Sequence, residues 1–298
     1  MTTEQITAPP SAPPSTTSVA AAASAAASAA SPKTETETEI ETPFLSINGT
    51  PIYFEEDWDT GIGGGLWSTG KAMAMYFIDH PTLIRQNLYH LHRPSENEGN
   101  GGDGKGTDND KGKGGSRGAK VMELGSGNGL LSVCLAAVAC QDQGQGHQPL
   151  IDKLVVTDLD DHLELMVKTV LANSHIVTLD GNNANENGNG DNHTVYTEVK
   201  EHRWGEFEDD INEDTFDFII GSDVAYRDWL HEPLIQSLKK YSHPGTVSLI
   251  GVTMHDTKPQ FFKLLKEHGF TYQRIHEHHM APEFRGVTFG LFVIQLKT

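Results

Sequence analysis

Residues 121–131 read VMELGSGNGLL, and this stretch decides the fold. Val121 to Leu124 reads as a short strand, glycines follow at 125, 127 and 129, and the apolar run that continues to Cys140 reads as a helix. Glycine turns tightly and lets a ligand come close to the backbone, and the start of the next helix offers free N–H groups. The spacing narrows the ligand class. A dinucleotide turn is G-x-G-x-x-G, whereas here Leu130 stands at the last position and Gly129 comes one residue early. Glu123 adds an acid two residues before Gly125. That combination disfavours a pyrophosphate and suits the ammonium of a cofactor that carries an amino acid. The glycines alone leave a ligand-free turn open.

Strand-like and helical segments alternate on both sides. Upstream, residues 45–54 read as a strand, with Ile47, Ile52 and Tyr53, and residues 68–80 and 82–92 as helices. Downstream, residues 153–157 form a strand ending at Asp158, and Leu163, Met166, Val167 and Val170 follow the i, i+3, i+4, i+7 spacing of an amphipathic helix. Strands are expected over 195–201, 216–222 and 246–253, the last two apolar enough to be covered on both faces. Leu230, Leu234, Ile235, Leu238 and Tyr241 make one helical stripe, and residues 259–268 another helix, with Pro259 at its start and Gly269 at its end. Residues 271–278 and 286–296 read as a closing antiparallel pair. Repeated βα units predict an α/β fold: a doubly wound, Rossmann-like, seven-stranded, mostly parallel sheet with an antiparallel last strand. Ligands of such sheets bind at the carboxyl ends of the strands, near the switch point.

Composition sets the organisation. Of 298 residues 37% are hydrophobic, and the shortfall is local. Residues 1–42 are rich in Pro, Ser, Thr and Ala and read as a disordered tail. Residues 95–118 and 181–193 are Gly-, Asn- and Asp-rich insertions in one domain that spans 43–298. The formal net charge of −19 repels phosphate backbones and argues against nucleic acid; it suits solubility first and a basic protein partner second. No apolar run of 18 residues is present, so no membrane span is expected. Cys134 and Cys140 lie six apart on a predicted helix, too far round it to pair locally, which fits a reducing compartment. The N-terminal Ala/Ser run lacks a basic n-region, so the expected location is the cytoplasm, with the nucleus also open. Oligomeric state is not legible.

Further candidates sit at strand ends. Asp158 is placed to accept ribose hydroxyls; its offset from the glycines exceeds ~20 residues because of a polar stretch at 141–149, and Asp160 and Asp161 are better placed to cap the next helix. Trp204, in EHRWG, reads equally as an adenine-flanking ring or a core aromatic. Asp223 and Tyr226, in GSDVAY, emerge where a transferred group would sit, and Val224-Ala225 replaces the proline pair of enzymes that stack a flipped base. His276 and His278 would share a strand face, but no third ligand has suitable spacing, so they and His279 read as a solvated edge rather than a metal site.

Taken together, Leu66-Trp67, MELGSGNG, VVTDLD, HRWGE and GSDVAY resemble the seven-β-strand S-adenosylmethionine-dependent protein lysine methyltransferases of the family-16 group. The resemblance covers roughly residues 45–298 outside the insertions, and Asp223-Val-Ala-Tyr226 matches that group's acid-x-x-aromatic signature. It implies S-adenosyl-L-methionine as cofactor and a lysine-bearing protein as substrate. By resemblance, Trp67, Gly125, Asp158, Trp204 and Ser222 line the cofactor pocket together with Glu123, Gly127 and Gly129, and Asp223 and Tyr226 border the methyl-transfer channel. A small-molecule methyltransferase and a non-catalytic cofactor-binding module are the competing readings.

Overall fold

An Asn-Gly pair divides the first expected strand in two. In a computed structural model describing residues 42–91, 118–140, 150–179, 194–207, 211, 215–286 and 288–297, Asn48 and Gly49 both take positive φ, +47° and +86°. That is the chemistry of a two-residue hairpin turn, and it joins β1 (Leu45–Ile47) to β2 (Thr50–Ile52), burying Ile47 and Ile52. The expected tail, but for Thr42, and the two expected insertions, but for Gly118, lie outside the described residues.

The rest of the chain runs α1 (Ser68–Asp79), α2 (Pro81–Leu91), β3 (Ala119–Leu124), α3 (Leu130–Ala139), β4 (Ile151–Asp158), α4 (Leu163–Ala172), β5 (Val177–Leu179), β6 (Val195–Glu201), β7 (Phe216–Ser222), α5 (Asp228–Tyr241), β8 (Ser242–Thr253), α6 (Pro259–Glu267), β9 (Phe270–Arg274) and β10 (Phe289–Leu296). Strands β3 to β10 form one sheet of order β5-β6-β4-β3-β7-β8-β10-β9. Pairing is parallel from β5 to β8, and β10 is antiparallel to both β8 and β9. The doubly wound, mostly parallel α/β fold is as expected, with eight strands in place of seven. The extra one, β5, is three residues at the sheet edge, too short for any periodicity to mark.

Alternation along the strands divides the core between the two faces. Val121, Leu154, Val156, Phe218 and Ile220 pack with α1, α2, α3 and α4 on one side. Met122, Leu124, Val155, Ile219, Ile250 and Val252 pack with α5 and α6 on the other. Helix α3 is buried along its whole length, because α1 and α2 cover the side away from the sheet. The strand order reverses between β3 and β7, so the loops leaving these two strands border the crevice where such sheets bind ligands.

Candidate active site

The glycine turn is tied to the end of the neighbouring strand by backbone contacts. Gly125, Gly127 and Gly129 hold φ of +65°, +62° and +82°. The Ser126 N–H donates to the Thr157 carbonyl at 2.9 Å, and the Gly127 N–H to Asp158 Oδ2 at 2.6 Å. The Thr157 hydroxyl donates back to the Glu123 carbonyl at 2.6 Å. Two of the glycines are also demanded by space. A Cβ on Gly125 would stand 2.7 Å from the Trp204 ring, and one on Gly127 2.4 Å from the Gly63 carbonyl oxygen.

Glu123 turns its carboxylate inward. Oε2 accepts the N–H and hydroxyl of Ser132, in the first turn of α3, at 3.1 and 2.5 Å. Oε1 is fully buried and makes no well-formed hydrogen bond among the described residues, although the equally buried Ser126 hydroxyl is near enough to act on the carboxylate. Burial pushes the Glu123 carboxyl up to about 7; the Ser132 hydroxyl, the adjacent Ser126 hydroxyl and the Ser132 N–H pull the other way, and the Asp158 charge adds to the rise. A folded-state value near 7 against 4.5 in the unfolded chain means that the native state favours the protonated acid. Stability from this group is therefore greatest below pH 4.5, declines as pH climbs to 7, and stays low above it, a loss on the order of 3 kcal/mol. Glu123→Gln should flatten this slope. In urea unfolding at pH 5 and pH 8, the variant is expected to gain on the parent by a few kcal/mol at the higher pH; an equal difference at both would refute the assignment.

Asp158, half-buried at the end of β4, takes three donors: the N–H groups of Gly127 and Leu159 (the latter at 2.7 Å to Oδ1) and the Nδ1 of His162, 2.9 Å from Oδ1. A carboxylate has about four acceptor positions, which leaves one for a ribose hydroxyl. Asp160 and Asp161 sit in the 3-10 turn that precedes α4, and neither caps it. The hydrogen bond to Asp158 holds the His162 imidazole above its ordinary pKa, against the opposing effect of burial.

Trp204 is half-buried, packs on the core beneath α5, and turns one ring edge to Gly125, so it is both core packing and a wall of the turn. Trp67 immediately precedes α1, remains 43% exposed and meets Trp58 edge-on at 6.0 Å. Helix α1 then passes beside the end of β7, where a Cβ on Gly70 would lie 3.4 Å from the Ser222 hydroxyl.

Asp223 adopts a left-handed backbone, φ +56°, which Asp tolerates better than most residues. Its N–H donates to the Gly251 carbonyl, and its Oδ1 accepts from the Thr253 hydroxyl at 2.9 Å and the Thr253 N–H at 3.3 Å. The Thr253 hydroxyl lies 3.1 Å from that of Thr69 in α1, so β8 holds this carboxylate directly and α1 supports it through Thr253. Val224 and Ala225 are buried, and the chain re-emerges at Tyr226. Burial raises the Tyr226 phenol; the Arg227 charge lowers it, and the nearby Asp158 and Asp223 charges raise it further. Tyr226 therefore lies within electrostatic reach of both acids.

The switch-point crevice thus collects Glu123, the three glycines, Asp158, Trp204, Ser222, Asp223 and Tyr226, with Trp67 at its α1 side. Three features of the surroundings escaped sequence reasoning. One is the loop at residues 57–65, whose glycine run GIGGG was the available signal. The second is His162, four residues after Asp158, and the third is Thr253. The histidine expectation is corrected: β9 ends at Arg274, and Glu277–His279 forms a 3-10 turn, so His276 and His278 meet through that turn rather than on a strand face. Among the described residues no group of three metal-ligating side chains converges.

The crevice fits an adenosyl amino acid. The glycine turn brings backbone close to the crevice, Asp158 keeps one acceptor position, and the buried Glu123 Oε1, which makes no well-formed hydrogen bond among the described residues, leaves a polar deficit beside the turn that an ammonium would relieve.

Comparison with known proteins is consistent in kind. Two curated relatives, the protein N-lysine methyltransferases METTL21A of Mus musculus and Danio rerio, are each 25% identical, over 162 and 160 residues. Each match covers 54% of this chain, and the chain spans 61% of each relative's length. Solved structures that align include a ribosomal protein L11 methylase of Lactobacillus delbrueckii (TM-score 0.41, 13% identity, 61% of this chain and 72% of that one) and an rRNA methylase of Streptococcus thermophilus (TM-score 0.42, 11% identity, 72% and 95%). The family model described as lysine methyltransferase matches residues 46–268, most of the sequence and every site residue above. The chain therefore belongs to the lysine methyltransferase family.

Proposed function

We propose that this protein is an S-adenosyl-L-methionine-dependent methyltransferase that acts on a lysine side chain of a protein. The observation that carries this reading is the arrival of Asp223 and Tyr226 at the end of β7, on either side of the Val224 that packs against Gly125, in a chain of this family. Bound there, the cofactor supplies a methyl group already activated by its sulfonium. The chain's own residues bind, orient and exclude water. Gly127 and its neighbours present backbone to the amino-acid part, Asp158 accepts from the ribose, and Trp204 flanks the base.

A lysine ammonium, with a pKa near 10.4 in water, must lose its proton before it can attack. The half-buried Tyr226, beside the buried Val224, favours the neutral amine by desolvation. The cofactor would supply the methyl carbon and keep the electron pair of its carbon–sulfur bond, and positive charge would pass to the amine nitrogen. Asp223, held through Oδ1 by Thr253, orients the amine by accepting its N–H and opposes the charge that develops there. The net charge of −19 suits a basic substrate region. The domain over 43–298, its insertions at 95–118 and 181–193, and a cytoplasmic location complete the proposal.

Incubating the protein with cofactor carrying a labelled methyl group and a cell lysate tests it. Label is expected on protein bands, as methyl-lysine in the hydrolysate. Label on small molecules alone would favour the small-molecule reading, and cofactor binding in calorimetry without any transfer would favour the binding module.

A further inference from the structure

His162 belongs to no motif read from the sequence, yet its ring occupies a place that touches both walls of the crevice. Its side chain is 9% exposed. Nδ1 lies 2.9 Å from Asp158 Oδ1 and 3.3 Å from Asp161 Oδ1. On the far side of the ring Nε2 is buried and makes no well-formed hydrogen bond among the described residues, although the Thr60 backbone is near enough to act on the ring. Gly63 covers it so closely that a Cβ there would stand 2.6 Å from Nε2. The carbonyl of the same Gly63 fills the space beside Gly127 that no Cβ could share. One imidazole therefore joins the acid at the end of β4 to the loop that roofs the glycine turn.

Packing alone does not call for a histidine here. A buried ring nitrogen whose only neighbouring acceptor is a poorly aligned backbone group costs free energy that an apolar side chain of similar size would avoid. The feature that only a ring nitrogen, or a side-chain amide of matching reach, supplies is the donor to Asp158. Asp158 rotates about two side-chain bonds; its other two donors are backbone groups, one on each oxygen, and the ring shares Oδ1 with the Leu159 N–H, adding the only side-chain donor that the carboxylate has among the described residues. The i, i+4 spacing brings His162 to Oδ1 through the 3-10 turn.

We propose that His162 is a positioning residue of the cofactor site: its Nδ1–H fixes the Asp158 carboxylate toward the glycine turn, while its ring seats residues 61–65 against Gly127. The inference rests on the cofactor reading made above. Helix propensity and general hydrophobicity at this position have no part in it.

The test is calorimetric titration of the full chain with S-adenosylhomocysteine, with folding of each variant checked by its thermal melt. His162→Ala is expected to weaken binding about tenfold. His162→Asn carries an N–H where Nδ1 sits and should restore affinity to within about threefold of the parent. His162→Leu fills the space without a donor and should remain weak even though it melts no lower than His162→Asn. Leucine binding as tightly as the parent, or asparagine no better than leucine, would overturn the positioning role. Asp158→Ala separates this failure from that of the wider reading: its own loss of affinity keeps the cofactor site in place. A parent protein that binds no S-adenosylhomocysteine would overturn site and proposal together.

Discussion

Asp223→Asn is expected to lower kcat for methyl transfer by about 10²- to 10³-fold, the range seen when one group that stabilises transition-state charge is removed, while the cofactor Kd changes by less than about threefold. The reason lies in where the carboxylate is held. Its Oδ1 is engaged by the Thr253 hydroxyl and N–H, and Thr253 in turn meets Thr69 of α1. Asparagine keeps an oxygen for Thr253 and tolerates the left-handed backbone at φ +56°. The fold is therefore preserved, and the variant removes little except the charge. During transfer the positive charge moves from sulfur to the amine nitrogen. A fixed carboxylate beside that nitrogen stabilises the transition state more than the ground state, so its loss falls on kcat and not on cofactor binding. Asp223→Ala is the less clean probe, because alanine pays about 1 kcal/mol or more for the left-handed conformation. Single-turnover transfer rates with a labelled methyl group, beside calorimetric cofactor affinities, make the measurement. Unchanged turnover, or a loss confined to cofactor affinity, would move Asp223 out of the transfer step.

The sequence carried the βα order because each element has its own periodicity. The strand before the glycines, the wholly apolar helix after them and the buried strand at 216–222 are all local patterns, and the site at the strand ends follows from the fold rule. What it did not carry was set by tertiary approach. The glycines at 63–65 carry no periodicity, and only tertiary approach explains them: a Cβ on Gly63 would meet His162, one on Gly64 the Asp57 carbonyl, and one on Gly65 the Trp58 ring. His162 gave no signal because its role depends on Asp158 and Gly63 converging on one ring. Asn48-Gly49 was a legible hairpin signal, overlooked because the flanking residues continue an apolar pattern. Glu123 was placed correctly at the turn but faces into the protein, since Ser132 of α3 competes for its carboxylate. The histidines at 276–279 kept the apparent alternation of a strand after the ladder with β10 had ended at Arg274.

The three glycines of the turn look equivalent in sequence, and the structure makes them unequal. Gly127→Ala should be the most damaging: a Cβ there meets the Gly63 carbonyl oxygen at 2.4 Å. That obstacle is backbone and cannot rotate away, so residues 61–65 must lift from the turn and the Gly127 N–H must leave Asp158. Strain from the left-handed backbone, about 1–2 kcal/mol, adds to an overpacking cost of about 1–3 kcal/mol. Cofactor affinity is expected to fall on the order of a hundredfold as the two walls of the crevice separate. Gly125→Ala meets side chains instead, Trp204 at 2.7 Å and Val224 at 2.9 Å, which yield in part, so a smaller loss is expected. Gly129→Ala has nothing nearer than Met166 at 3.7 Å, an ordinary contact. Only its backbone, at φ +82°, resists substitution. It should cost about 1 kcal/mol of stability and leave the cofactor Kd within a few-fold of the parent, and Gly129→Asn, better suited to that backbone, should cost less still. The ordering Gly127, Gly125, Gly129, read from thermal melts and S-adenosylhomocysteine titrations of the three alanine variants, separates steric exclusion from backbone conformation. If Gly129→Ala proved as harmful to binding as Gly127→Ala, positive φ alone would account for the motif, and the close approach of residues 61–65 would have no part in forming the site.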